Sequence, residues 1–247
     1  MTDLKLRYTI HLADNALLLG HRNSEWCGHG PVLEQDIAIT NISLDLIGQA
    51  RNFYQYAALQ MNDGSTEDTL AYRRDAREFM NCLLVEQPRG DWAETILRQF
   101  LFSNYQYQLY QQLQSGKDEQ LAAISAKAWK EVAYHLRWSS EWVIRLGDGT
   151  EESHARMVNA IETTWPYSGE LLIPASYEKE NEYAVDLDTI RPAWEQQVKA
   201  VFDEAGLEVP GKAWMQSGGK EGNHSELLGL VLAEMQYLQR SYPDAQW

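Results

Sequence analysis

The sequence predicts an all-α fold, a large antiparallel helical bundle with extra helices towards its C-terminal end. Three observations carry this expectation. The seven prolines, at 31, 88, 166, 174, 192, 210 and 243, fall at apparent segment ends or first turns, where a missing backbone N–H costs little. The intervals between them carry apolar residues at helical spacing. No run of alternating β-branched residues marks a strand.

The first helix is expected from about Leu4 to Arg22, with a stripe of Leu4, Tyr8, Leu12, Asn15 and Leu19 beside Ile10, Asp14, Leu17 and His21. Asp14 and Asn15 therefore fall among apolar neighbours at mid-helix and need partners if buried. After the turn Cys27-Gly28-His29-Gly30-Pro31, a second helix should run from Leu33 to Met61. It is apolar over so wide an arc that it reads as the central helix, its polar side of Asn41, Asp45, Gln49 and Asn52 suited to hydrogen-bonded packing.

The cluster Asn62-Asp63-Gly64-Ser65 breaks that helix, and a third is expected to extend to about Glu86, before Pro88-Arg89-Gly90. Asp91 with Glu94 three residues on resembles a capping box and starts a fourth helix, to about Gln114. The fifth runs from Glu119 to Leu146 and ends at Gly147-Asp148-Gly149. Its positions 124, 128, 131, 135, 138 and 142 share one face and read Ile124, Ala128, Glu131, His135, Trp138 and Trp142, an acid and a histidine inside an apolar stripe. Shorter helices follow near Ser153–Trp165 and Arg191–Ala205, with an irregular stretch between them. A Gly/Pro loop from Gly206 to Gly222 leads to a last helix, Glu226–Tyr242. The organisation expected is a single domain over 1–247, with a core bundle at 1–150 and the additional helices and loops of 151–247 packed on it.

Charge and composition narrow the function. A hydrophobic fraction of 44% suits a globular core. With 21 Lys+Arg against 36 Asp+Glu the net charge is −15, which argues against nucleic acid or an anionic membrane as partner. Cys27 and Cys82 match no paired-ligand spacing. The first twenty residues lack a signal-peptide core, and no stretch reaches the roughly 18 apolar residues of a membrane span, so the expected location is the cytoplasm.

Long bundles with inward acids suggest di-iron carboxylate chemistry, in which two helices each supply a Glu and two others a Glu-x-x-His pair, because residues three apart project together onto one metal pair. The pattern is not intact here. Its nearest counterparts are Asp45 to Gly48 and Glu131 to Tyr134, with His135 one residue late; glycine has no ligating side chain. His21, Glu25, Cys27 and His29 follow no structural zinc spacing and suit capping and local hydrogen bonding. The loop 217–222, SGGKEG, could offer Lys220 to a phosphate or a partner, though it lacks the P-loop order. Hydrolase and dinucleotide signatures are missing.

Four segments together carry a resemblance: EWCGHGPVLEQDIAITNISLDLIGQARNF (25–53), LLVEQPRGDWAETILRQF (83–100), QLAAISAKAWKEVAYHLR (120–137) and GGKEGNHSELLGLVLAEMQYLQR (218–240). They resemble the C subunits of bacterial phenylacetyl-CoA epoxidases, multicomponent ring-1,2-epoxidases of aerobic phenylacetate degradation. The resemblance implies a ferritin-like fold and a structural, non-catalytic role beside a homologous A subunit. That A subunit would hold the di-iron centre and bind the CoA thioester, while a separate reductase would carry FAD and an iron–sulfur cluster and pass on electrons from NADPH. No catalytic or metal-binding residue and no cofactor is implied for this chain. On this reading Asp14, Asn15, Asp45, Glu131, Tyr134 and His135 form a metal-free polar core in place of the metal site, and the aromatic helices dock on the A subunit. The rival readings are a self-sufficient di-metal oxidase or oxygenase with atypical ligands and, from the loop at 217–222, a stand-alone acyl-CoA binder.

Overall fold

A computed structural model describes residues 4–211, 213–243 and 245. Its helices are, in chain order, α1 (Leu4–Ser24), α2 (Leu33–Met61), α3 (Glu67–Tyr72), α4 (Leu83–Glu86), α5 (Trp92–Leu113), α6 (Glu119–Gly147), α7 (Glu151–Thr164), α8 (Ser176–Lys179), α9 (Leu187–Glu204), α10 (Glu226–Met235) and α11 (Tyr237–Ser241). No strand occurs among the described residues, so the chain is all-α as its proline placement and periodicity predict. No helix is long and apolar enough to cross a membrane among the described residues.

The chain forms two compact units. The first takes the described residues of Met1–Pro88, Ala175–Asn181 and Gly218–Trp247; the second takes Arg89–Pro174 and Glu182–Ser217. The segments beyond residue 150 are thus shared between both units.

In the first unit α1 packs along α2 and also meets α4, α8 and α10. It is buried without interruption from Tyr8 to Gly20, which makes α1 the central element here and corrects the expectation placed on α2. The apolar arc of α2 is wide because the helix buries one side, through Ile39, Ile42, Leu46, Phe53 and Tyr54, and leaves apolar residues on the other. Of its polar side, Gln49 is buried, Asp45 and Asn52 are half-buried and Asn41 is exposed. The helix ends where Asn62 adopts φ 51°, a left-handed cap that asparagine tolerates.

The expected third helix is replaced by the short α3, a 3-10 turn at Ala76–Glu78 and an extended run into α4. Its apolar spacing is real, since Phe79, Leu83 and Leu84 are buried. Side chains from α1 take the backbone groups that a helix would have used. The last expected helix is likewise divided at Gln236 into α10 and α11, and the Gln236 side chain donates to Ala71 O at 3.2 Å and Arg74 O at 3.0 Å.

The second unit is centred on α5, buried continuously from Thr95 to Gln106 and packed against α6, α7 and α9. Asp91 caps α5 as expected, accepting from Glu94 N at 3.0 Å while Glu94 Oε2 accepts from Asp91 N at 2.9 Å. The α6 stripe faces inward as the sequence predicts: Val132 and His135 are buried, and Trp92 meets both Trp138 and Trp142 edge-on at 6.1 Å. Helix α9 begins a turn earlier than expected, so Pro192 lies inside it. The hydrogen bond it forgoes, to Asp188 O, falls at an exposed residue where water can substitute.

Candidate functional site

The densest polar structure of the first unit lies where α1 meets the irregular segment 73–82. Asp14, fully buried, accepts from Met80 N at 2.7 Å, from Tyr54 Oη, and from Arg74, whose Nη1 lies 3.1 Å from Oδ2 and whose Nη2 bonds Oδ1. The same guanidinium donates to Tyr54 Oη at 3.0 Å, to Glu78 O at 2.9 Å and to Leu70 O. One turn along the helix surface, His11 Nδ1 bonds Met80 O at 2.7 Å, and Asn15 accepts from Cys82 N at 2.8 Å while donating to His11 O at 3.0 Å. A helix cannot form over 73–82 because Asp14, His11 and Asn15 hold its backbone extended, each bond satisfying a group that burial would otherwise leave costly.

Two further buried charge centres tie the C-terminal segment to this one. Glu86, 0% exposed, accepts from Ser225 N at 2.7 Å, Ser225 Oγ at 2.7 Å and Asn81 Nδ2 at 2.9 Å, and lies 2.7 Å from His224 Nδ1. His224 Nε2 in turn donates to Phe79 O at 2.9 Å. With a carboxylate on one ring nitrogen and a carbonyl on the other, both nitrogens must donate, which is the imidazolium form. The second centre pairs Lys220 Nζ with Glu178 Oε2 at 3.1 Å, at 3% and 1% side-chain exposure. Gly219 permits this approach: a Cβ there would stand 2.5 Å from Asn81 O.

These environments move the histidines in opposite directions. Burial lowers the pKa of His11, outweighing the pull of Glu178, Asp14 and the Met80 carbonyl. For His224 burial also acts downward, but the hydrogen bond and charge of Glu86 with the Phe79 carbonyl prevail and raise it. A raised folded pKa gives stability that is complete below the unfolded value, about 6.5, and lost as pH rises through the folded value. The stability advantage of the native chain over His224→Gln in urea unfolding should therefore shrink between pH 6 and pH 9. A pH-independent difference would contradict the imidazolium assignment.

The residues expected to share one polar core are dispersed. Asp14 and Asn15 are neighbours in the first unit, engaged as described. Asp45, also in that unit, is half-buried on α2. Glu131 and His135 lie on α6 of the second unit, Glu131 half-buried near Tyr110 and His135 fully buried. Tyr134, expected in the core, is 38% exposed, because it stands one residue off the α6 stripe and so points away from it. Lys220, expected to face a phosphate or a partner, is turned inward and neutralises Glu178; a buried carboxylate draws the nearest cation.

A metal site does not fit this donor set. Both oxygens of Asp14 are taken, and the guanidinium of Arg74 already supplies a positive charge where a cation would bind. Among the described residues no three His, Cys, Asp or Glu side chains converge. The residues around Cys27 make local contacts, as expected: Arg22 bonds Glu25 at 2.9 Å, Ser24 Oγ donates to His21 O at 2.7 Å, and His29 Nδ1 lies 3.1 Å from Cys27 O.

Sequence reasoning missed Tyr54, Arg74, Glu86, Glu178 and His224. The one signal pointing to them was the mid-helix pair Asp14 and Asn15, which required partners without naming them. It also missed the surface of α2. Leu33, Ile37, Leu44 and Leu59 are 71%, 51%, 63% and 76% exposed, and their spacing sets them within about 80° of helix circumference. Single exposed leucines are ordinary, but a row of them along one helix is the mark of a contact surface.

A family model described as phenylacetic acid catabolic protein matches residues 2–247. The chain is 51% identical over 243 residues to the C subunit of the 1,2-phenylacetyl-CoA epoxidase of Escherichia coli (strain K12), an alignment that covers 97% of this chain and 98% of that protein.

Proposed function

The chain belongs to the family of phenylacetic acid catabolic proteins, and from that premise we propose that it is the structural subunit of a cytoplasmic multicomponent di-iron monooxygenase that converts phenylacetyl-CoA to its ring-1,2-epoxide. The observation that carries this reading is the 51% identity, over nearly the full length of both proteins, to the C subunit of such an epoxidase. In this role the chain takes no part in the chemistry. The di-iron centre belongs to a catalytic A subunit and the flavin and iron–sulfur groups to a reductase.

The residues of this chain act by holding a surface in shape. The bridge from Asp14 to Arg74 and Tyr54 fixes α1 against α2, and α2 carries the apolar row Leu33, Ile37, Leu44 and Leu59 outward. That row is the docking surface for the catalytic partner, since burying it on a complementary apolar face removes it from water. The guanidinium seated on Asp14 speaks against the reading as a self-sufficient di-metal oxidase, and the burial of Lys220 removes the feature that suggested a stand-alone acyl-CoA binder.

Coexpression with the catalytic partner tests the assignment: the two should copurify and epoxidise phenylacetyl-CoA when the reductase is added, and failure to associate would overturn it. Leu44→Asp combined with Leu59→Asp places two charges in the docking row. Copurification should fall about a hundredfold, equivalent to about 3 kcal/mol, while the thermal unfolding of the isolated chain stays within about 0.5 kcal/mol of the native protein. Undiminished copurification would place the interface elsewhere.

A further inference from the structure

The second unit contains a cavity of about 520 Å³ between α9, the segment 165–173 and the loop 209–215, within the range of small-molecule sites. Trp165, Leu172, Trp194, Val198 and Met215 give it apolar walls. It is held open by fixed contacts: Gln216 N donates to Pro166 O at 2.7 Å, and Met215 packs so closely on Gly169 that a Cβ there would meet its Cγ at 2.7 Å. The two indoles, 6.2 Å apart and inclined at 33°, form a flat aromatic wall.

Their N–H groups differ. Trp194 Nε1 donates to Leu101 O at 3.1 Å. Trp165 is 7% exposed, and its Nε1 is buried with no hydrogen-bond partner. A buried donor left unsatisfied is costly, and one on a cavity wall is relieved by an acceptor entering the cavity. Along the α9 rim stand Arg191, Glu195 and Lys199, one helical turn apart. Arg191 is tied to Leu172 O at 2.8 Å and Lys199 to Asp203, so the rim carries a net positive charge on a chain whose total is −15.

We propose that this cavity is a binding site for a small carboxylate with an aromatic or branched apolar body: the body lies on the Trp165–Trp194 wall, the carboxylate accepts from the Trp165 indole N–H, and the rim cations attract its charge. The site lies wholly within the second unit, away from the α2 row, and does not depend on the assignment to the epoxidase.

The test is an NMR titration of the isolated full chain labelled with ¹⁵N at tryptophan, using phenylacetate as probe, phenylacetamide as the neutral acceptor and ethylbenzene as the body without an acceptor. Phenylacetate should shift the Trp165 Nε1–H resonance downfield and saturably, with the Met215 methyl moving in the same titration. The Trp165 signal is assigned by its loss in Trp165→Phe, and the Met215 methyl serves if that variant does not fold. Lys199→Met should weaken phenylacetate about threefold to tenfold, the size of one exposed charge interaction, and leave phenylacetamide unchanged. Val198→Phe, which fills the cavity, should abolish both. A shift that does not saturate, a Met215 methyl that stays still, or ethylbenzene moving the Trp165 N–H as far as phenylacetate would each overturn the proposal.

Discussion

Replacing Asp14 with alanine is expected to lower the unfolding free energy by about 3–5 kcal/mol, the cost of leaving a buried charge without its partner. The uncompensated group is Arg74, whose side chain is 11% exposed and whose other acceptors, Tyr54 Oη and the carbonyls of Leu70 and Glu78, are all neutral. Met80 N loses its acceptor in the same substitution. Urea denaturation followed by circular dichroism gives the magnitude, and amide hydrogen exchange gives the place: Met80 should lose protection first, while the α5 amides keep theirs. Adding Arg74→Met to the Asp14 variant should restore part of the loss, because removing both charges leaves neither buried alone. A loss below about 1 kcal/mol would mean that water reaches the site and the bridge is not a structural centre.

Lys220→Ala should cost a similar amount, about 3–5 kcal/mol, with a distinctive pH dependence. Burial alone would raise the pKa of Glu178, but the charge of Lys220, with His11, the Ala175 N–H and the Lys220 hydrogen bond, lowers it below the ordinary carboxylate value. A lowered folded pKa contributes stability present above the unfolded value, about 4.3, and lost as pH falls through the folded value. Without Lys220 burial dominates, Glu178 prefers its proton, and the variant gains relative stability as acid is added. The gap between native chain and variant should be widest near pH 7 and narrow below pH 5. A gap constant across that range would show that Glu178 is not charged in the native chain. Inorganic phosphate should leave the native chain's stability unchanged, since the Lys220 ammonium is committed to Glu178.

These two centres explain where reading the sequence stopped. The bounds of α2 and the Asp91 cap of α5 were legible because they follow from neighbours three and four residues apart. So was the buried stripe of α6. The segment after Tyr72 was not, because its apolar spacing is that of a helix while its backbone partners lie some 60 to 70 residues away on α1. His224 and Glu86 are 138 residues apart, and nothing in either neighbourhood announces the other.

By itself the sequence determined that the chain is all-α, where its long helices start and stop, that it falls among phenylacetic acid catabolic proteins, and that Asp14 and Asn15 would need partners. Periodicity, capping and long ordered resemblance are properties of the chain as written. Only the tertiary structure decided which groups answer those needs: Arg74 rather than a metal at Asp14, Glu178 rather than a phosphate at Lys220, and solvent rather than core against Leu44 and Leu59. The physical reason is that a buried charge or polar group is satisfied by whatever the fold brings within about 3 Å, and local pattern carries no information about a contact made across a hundred residues.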